Sequence, residues 1–195
     1  MIRNRNKLVK GVGINDAPYQ VVQRDGTYCP FYRTWQNMLT RCYCKSYLNS
    51  KPSYIGCYVC EEWKTFSTFS RWMETQRWQG FQLDKDLLEH GNKCYCPEFC
   101  VFIPPELNSF LKDRKNDRGD LPLGVTVKGN RYNSRCGNPL TGGREFLGGF
   151  DCPELAHEAW RCRKRDIGRD ICLEHNLPQT VTEAVENFYK NSLFR

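Results

Sequence analysis

Twelve cysteines in 195 residues give this chain a clear capacity for metal chemistry. Cys57 and Cys60 have the Cys-x-x-Cys spacing, at which two thiolates can bind one tetrahedral zinc ion. Partners for this pair could come from either side of it in the sequence: Cys42, Cys44, Cys94, Cys96 and Cys100. The set that we expect to form a structural zinc site is Cys42, Cys57, Cys60 and Cys100. The alternative is that these thiols pack as small buried hydrophobic residues, as free cysteine often does.

The cysteines also indicate in which cellular compartment we expect the protein. A disulfide scaffold is normally secreted and shorter, so we expect reduced thiols or metal ligands in a cytoplasmic protein. The first seven residues have no apolar run behind them, so we expect no signal peptide. No stretch approaches the ~18 apolar residues that a membrane span needs. The sequence therefore predicts a soluble protein without a membrane partner.

Charge points to a polyanionic partner. The chain carries 29 basic and 22 acidic residues, a net charge of +7. Residues 1–50 carry 8 basic and 2 acidic groups, 51–110 carry 6 and 8, and 111–172 carry 13 and 9. Basic zones attract phosphate backbones regardless of sequence. This pattern favours a nucleic acid as the partner, and the alternative is an ordinary solvated surface.

Hydrophobic patterning divides the chain into two domains. Residues 1–111 are dense in aromatic residues and cysteines, the polar segment 112–120 has the composition of a linker, and 121–172 contains short apolar runs followed by a helix. We expect residues 173–195 to form a C-terminal helix. The predicted class is α+β.

In the first domain, apolar residues recur at helical spacing in 32–42 and 63–78, which predicts two packing helices. Residues 81–88 and 99–103 have strand character, and Pro104-Pro105 should open a short helix. Two strands followed by a helix is the layout of a ββα metal site.

In the second domain, segments 121–128, 131–136 and 144–150 predict a three-stranded antiparallel sheet. Asp151 is the expected N-cap and Pro153 the first-turn residue of the helix that packs on it. Its apolar face should include Leu155, and the basic run 161–165 should lie at its end, where positive charge suits the helix dipole.

This second domain resembles the APETALA2/ethylene-response-factor DNA-binding domain over residues 121–167. The likeness is carried by Gly124-Val125, by 131–135 and by the strand-to-helix run 146–160. The resemblance implies that the sheet contacts the major groove through outward side chains, for which arginine is well suited. The residues implied are Thr126, Lys128, Arg131, Ser134, Arg135 and Arg144. Glu145 departs from a purely basic surface.

The first domain contains, in order, Asp84-Lys85-Asp86, His90-Gly91-Asn92-Lys93, Pro97-Glu98 and Asn108. These residues carry a resemblance to phage HNH-type homing endonucleases. It implies that Asp84 or Asp86, with Asn108, binds a divalent ion (Mg²⁺ or Mn²⁺) through oxygen ligands.

One departure from this family affects the general base. Where the family has a catalytic histidine, this chain has Asp84-Lys85-Asp86. A neutral imidazole suits base catalysis near pH 7. The remaining base candidates are His90, in the loop, and Lys85, whose pKa would have to be strongly depressed.

These observations predict a phage-type, metal-dependent DNA endonuclease that cuts or nicks phosphodiesters and is targeted by its C-terminal domain. One alternative is a non-catalytic DNA-binding or regulatory protein on a degenerate HNH scaffold. Another is an inhibitor that binds a host protein through the aromatic-rich first domain.

Overall fold

The computed structural model describes residues 8–112 and 121–190. All of the expected linker except Lys112, and residues 191–195 of the expected C-terminal helix, lie outside the described part. The fold is α+β, and the chain divides into two compact units between Phe102 and Ile103. The helices are α1 (Pro30–Tyr43), α2 (Lys45–Ser50), α3 (Phe66–Glu74), α4 (Pro105–Phe110), α5 (Pro153–Glu174) and α6 (Gln179–Lys190). The strands are β1 (Tyr58–Val59), β2 (Gln82–Asp84), β3 (Cys94–Tyr95), β4 (Val101–Ile103), β5 (Val125–Lys128), β6 (Arg131–Asn138) and β7 (Gly143–Phe150).

The core of the first unit is built on α1, with proline in its first turn. The five residues of its apolar face are all buried: Tyr32, Trp35, Met38, Leu39 and Cys42. The Trp35 indole Nε1 donates to the carbonyl of Trp63 at 2.7 Å. The helix predicted from the 32–42 periodicity is therefore confirmed.

The second predicted helix, 63–78, is shorter than the periodicity indicates. Trp63 lies in a separate 3₁₀ turn, Glu62–Lys64, and α3 begins only at Phe66. The cause is a backbone pairing with Ile14, whose N–H donates to the carbonyl of Lys64 and whose carbonyl accepts from the N–H of Phe66. This pairing holds Thr65 extended, so the helix cannot continue through it.

The strands of the first unit are short. β1 and β3 form a parallel pair, and β2 pairs with β4. The strand predicted over 81–88 ends at Asp84, because the Asp84 carboxylate accepts the N–H groups of Asp86 and Leu87 and turns the chain.

The second unit contains the predicted three-stranded antiparallel sheet, in the order β5-β6-β7. One face of this sheet packs on α5, and Val125, Ser134 and Cys136 are buried there. β7 carries a β-bulge, since Ser134 pairs with Gly148 while Arg135 pairs with Phe146, leaving Leu147 as the extra residue.

Helix α5 differs from its prediction in three respects. Its N-cap residue is Cys152, which makes no side-chain capping bond, and Asp151 precedes it. Leu155 is 57% exposed, because the buried stripe runs through Ala156 and Trp160 instead. The helix also continues to Glu174, so the basic run 161–165 lies in its middle.

The short helix α4 belongs to the second unit, although the sequence places it in a first domain ending at residue 111. Lys164 Nζ donates to the Phe110 carbonyl at 2.6 Å and lies 3.2 Å from the centre of its ring. The Tyr189 hydroxyl donates to the same carbonyl at 3.4 Å. These bonds tie the end of α4 to α5 and α6. Within the described ranges, no helix combines the length and apolar character that crossing a bilayer requires.

Candidate nucleic-acid interface

The pairing of β5, β6 and β7 determines which side chains share the sheet face turned away from α5. Cross-strand partners lie on the same face, and alternate residues along a strand lie on opposite faces. Lys128 pairs with Arg131, Thr126 with Asn133, Arg135 with Phe146, and Gly137 with Arg144. We call this face the outer sheet face, and its side chains are Thr126, Lys128, Arg131, Asn133, Arg135, Arg144 and Phe146. Five of the six predicted DNA-contacting residues therefore share one face.

Ser134 is the exception among the predicted contacts, and its assignment is wrong. It pairs with Val125 on the helix-covered side and is 0% exposed. Its hydroxyl has no hydrogen-bond partner. A one-position shift along a strand moves a side chain to the opposite face, which is why Ser134 and its neighbour Arg135 differ so completely.

Glu145 does not reduce the positive charge of the outer sheet face. It pairs with Cys136 on the helix-covered side, where Arg163 and Asn138 bind its carboxylate. The hydrogen bond from Arg163, supported by that from Asn138, lowers the pKa of Glu145 to about 2. Glu145 is the only acidic residue in the three strands, so the outer sheet face itself carries no carboxylate.

The cations of the outer sheet face are exposed and partly preorganised. Arg131 donates to the carbonyl of Gly149 at 2.6 Å and lies 3.5 Å from the exposed carboxylate of Asp151. The guanidinium of Arg135 lies over the ring of Phe146, 5.7 Å from its centre. Phe146 is itself 59% exposed.

The sequence interpretation missed two members of this face, Asn133 and Phe146. Strict alternation from Arg131 to Arg135 would have selected Asn133 in place of Ser134. Phe146 needed the cross-strand register, because the bulge at Leu147 shifts the alternation of β7.

The predicted catalytic residues of the first unit lie in or beside a loop, 84–94, that is closed by its own hydrogen bonds. Asp84 Oδ1 accepts the N–H of Asp86 at 2.9 Å and that of Leu87 at 2.8 Å. The Asn92 amide donates to the carbonyls of Lys85 and Cys94 and accepts the N–H of Cys94. Asn92 was also missed as a site residue, and its role here is to hold the loop.

Lys85 is an unsuitable general base. Its Nζ is buried and donates to Asp86 Oδ1 at 2.5 Å and to the carbonyl of Asn92 at 2.7 Å. Burial disfavours its charge, but the interactions with Asp86 outweigh burial and raise the pKa of Lys85. A lysine held protonated in this way cannot accept a proton from water near pH 7, so the structure corrects this assignment.

The other predicted metal and base residues do not all belong to one structural unit. Asp84 is half-buried, and desolvation raises the pKa of its carboxyl. His90 is exposed in the loop, and Asn108 lies on α4, in the second unit. In residues 8–112 and 121–190, no group of three or more His, Cys, Asp or Glu side chains is arranged to hold a metal ion.

The predicted zinc ligands lie on two sides of β1. Cys57 precedes β1 and, like Val59, is buried in the core with Cys42. Cys60 continues the β1–β3 ladder through its N–H bond to Tyr95 and lies on the face of Tyr58. Because Cys57 and Cys60 are on opposite sides of the strand, the set of Cys42, Cys57, Cys60 and Cys100 does not converge.

Comparison with known proteins gives this chain no relative: no family model, curated protein or solved structure matches it. The resemblances to HNH endonucleases and APETALA2-type domains therefore stay predictions.

Proposed function

We propose that this protein binds double-stranded DNA through the outer sheet face of its second unit. The observation that carries the proposal is the segregation of charge across that sheet. Lys128, Arg131, Arg135 and Arg144 project from one face, while the only carboxylate of the strands is paired with Arg163 on the other.

The chemistry of this face matches a DNA groove. A guanidinium can bind guanine O6 and N7 or a phosphate, and the Asn133 amide can bind adenine N6 and N7. The exposed ring of Phe146 offers an apolar contact of the kind that thymine methyl groups make. A rigid sheet with a helix behind it supports all of these groups.

A salt titration of DNA binding tests this proposal. Removing one cation that binds a phosphate should reduce the slope of log K against log[salt] by about 0.9. We expect Arg135→Gln/Arg144→Gln to bind duplex DNA more weakly and with a slope smaller by about 1–2. The control is Arg71→Gln/Lys190→Gln, which removes two exposed charges from helices α3 and α6 and should leave the slope unchanged.

Two results would contradict the proposal. If the test and control variants lost equal DNA affinity, the loss would reflect only the lower net charge of the protein and not contacts made by the outer sheet face. Salt-insensitive capture of a protein partner, with negligible DNA affinity, would favour the host-protein inhibitor.

Metal-dependent DNA hydrolysis is a second proposed function. It is favoured by the pairing of β2 with β4, by the position of Asp84 at the end of β2, and by α4 following directly in the sequence. Asp84 and Asp86 would supply carboxylate ligands to Mg²⁺ or Mn²⁺, which would activate a water molecule.

The test of hydrolysis is nicking of supercoiled plasmid with Mg²⁺ or Mn²⁺ and with EDTA. Asp84→Asn is the informative variant, because its amide oxygen can still accept the loop N–H groups while the metal-binding charge is removed. Metal-dependent nicking that Asp84→Asn abolishes supports hydrolysis. Plasmid retardation without nicking supports a non-catalytic DNA-binding protein.

A further inference from the structure

The short parallel pair of β1 and β3 brings cysteines together that the sequence interpretation did not combine. Tyr58 pairs with Cys94 and Val59 with Tyr95. The N–H of Cys60 donates to the Tyr95 carbonyl at 3.0 Å, so the ladder continues and places Cys60 beside Cys96.

Alternation along the two strands puts three thiols on one face. Val59 and Tyr95 are buried on the core side, so Cys60, Cys94 and Cys96 occupy the opposite side with Tyr58.

A fourth thiol follows one turn later. The N–H groups of Phe99 and Cys100 both donate to the carbonyl of Cys96, which folds residues 96–100 back on themselves. Cys100 is therefore one tight turn from Cys96, and both are almost fully buried.

We propose that Cys60, Cys94, Cys96 and Cys100 form a tetrahedral thiolate site for a structural Zn²⁺ ion. Four cysteines are a common ligand set for structural zinc. The site differs from the Cys42, Cys57, Cys60 and Cys100 set in taking Cys94 and Cys96, from β3 and the residue after it, in place of the core residues Cys42 and Cys57. With the thiols as they stand, the sulfurs are not at metal-ligand positions. Binding therefore requires side-chain rotation toward a common centre, with release of the four thiol protons.

In the metal-free state burial raises the pKa of the Cys60 thiol to about 11 and that of the Cys96 thiol to about 12. Metal binding at this site is therefore coupled to the release of thiol protons.

The site also accounts for a parallel pair of only two residues per strand. Pairs this short are marginal without support, and parallel ones are slightly less stable per residue than antiparallel ones. A zinc ion bound by β3, the residue after β1 and the 96–100 turn would hold the three segments together.

The experiment is zinc analysis of the full chain, purified without added metal or chelator, with cobalt substitution to report the ligands. We expect one Zn²⁺ per chain, and for the Co²⁺ form the thiolate charge-transfer and tetrahedral absorption bands. Cys60→Ser and Cys96→Ser should lose the metal. Cys94→Ser, which replaces a half-buried thiol, should lose the metal or show a charge-transfer band weakened by the absence of one thiolate.

The matched control is Cys57→Ser, since Cys57 belongs to the same Cys-x-x-Cys pair as Cys60 but faces the core. It should keep one Zn²⁺ per chain, and circular dichroism should show that each variant is folded. A wild-type chain that takes up neither zinc nor cobalt would overturn the site. The site would also be overturned if a folded Cys57→Ser variant lost zinc while Cys94→Ser kept the metal with an unchanged thiolate charge-transfer band in its Co²⁺ form. Either outcome leaves the DNA-binding proposal intact, because the outer sheet face lies in the other unit.

Discussion

Glu145 and Arg163 form a two-point ion pair on the helix-covered side of the C-terminal sheet. Arg163 Nε donates to Oε2 at 2.5 Å and Nη2 donates to Oε1 at 3.0 Å. The pair links β7 to α5 and removes the one carboxylate of the strands from the outer sheet face.

The same pair predicts a dependence of stability on pH. The pKa of Glu145 is lowered to about 2 in the fold from an ordinary 4.5, mainly by the bond from Arg163. The stabilisation is therefore present above pH 4.5 and is lost as the pH falls toward 2. We expect Glu145→Gln to have a lower Tm than the wild type above pH 5, with the difference closing as the pH falls. A difference in Tm that stays constant with pH would contradict the assignment.

Gly124 should be intolerant of a side chain. Its φ is +75°, and an added Cβ would lie 2.0 Å from Cδ1 of the Trp160 ring. Gly124→Ala should reduce the free energy of unfolding by about 2–4 kcal/mol, because it combines backbone strain with a clash against a buried ring. Gly129, with φ +62° and open space around its Cα, is the control. There alanine should cost only about 1 kcal/mol. Urea unfolding measures the free energy of unfolding of both variants. Equal reductions at the two positions would refute a clash with Trp160.

Ser134→Ala should be neutral or stabilising. The hydroxyl is completely buried and has no hydrogen-bond partner, so the folded state gains nothing in exchange for its desolvation. Removing it should leave the free energy of unfolding unchanged or raise it by up to about 1 kcal/mol. DNA affinity should be unaffected, because Ser134 faces α5. If a stable Ser134→Ala variant bound DNA more weakly than the wild type, Ser134 would have to be a DNA contact, contrary to this assignment.

Asp84 should contribute to stability through its oxygen and not through its charge. Asp84→Ala leaves two loop N–H groups without their acceptor and should lower the free energy of unfolding by about 1–3 kcal/mol. Asp84→Asn keeps an acceptor and should be at least as stable as the wild type at pH 7, because burial raises the pKa of the carboxyl and so disfavours its charge.

The pH profile of the Asp84 variants separates these two contributions. Protonation of Asp84 at low pH removes the buried charge, so any advantage of Asp84→Asn over the wild type should shrink as the pH falls. Chemical denaturation at pH 7 and pH 4 measures this difference in the free energy of unfolding between Asp84→Asn and the wild type. An Asn variant as unstable as the Ala variant would instead assign the stabilisation to the charge.

The local pattern of apolar residues was sufficient to predict the helices and strands that bury one face. The apolar stripe from Tyr32 to Cys42 predicted α1, because burial of one helix face imposes its own period on a sequence. The short apolar runs between residues 121 and 150 predicted β5, β6 and β7. The basic residues of the outer sheet face were among those that the APETALA2 resemblance implied, and Ser134 was the one wrong member of that set. The expectation of an α+β chain is confirmed for the same reason.

Only the tertiary structure decided which partners each polar and sulfur-bearing side chain meets. Lys85 could serve as a base only with a strongly depressed pKa, but the fold buries it against Asp86 and the Asn92 carbonyl and raises its pKa. Glu145 could face DNA, but Arg163, 18 residues later, binds it from α5. Cys94 meets Tyr58 only when β1 and β3, which are distant in the sequence, pair with each other. The sequence by itself determined periodicity, and hence the elements and their apolar faces. The tertiary structure determined the chemistry, because pKa, ion pairing and ligand sets depend on contacts between residues distant in the chain.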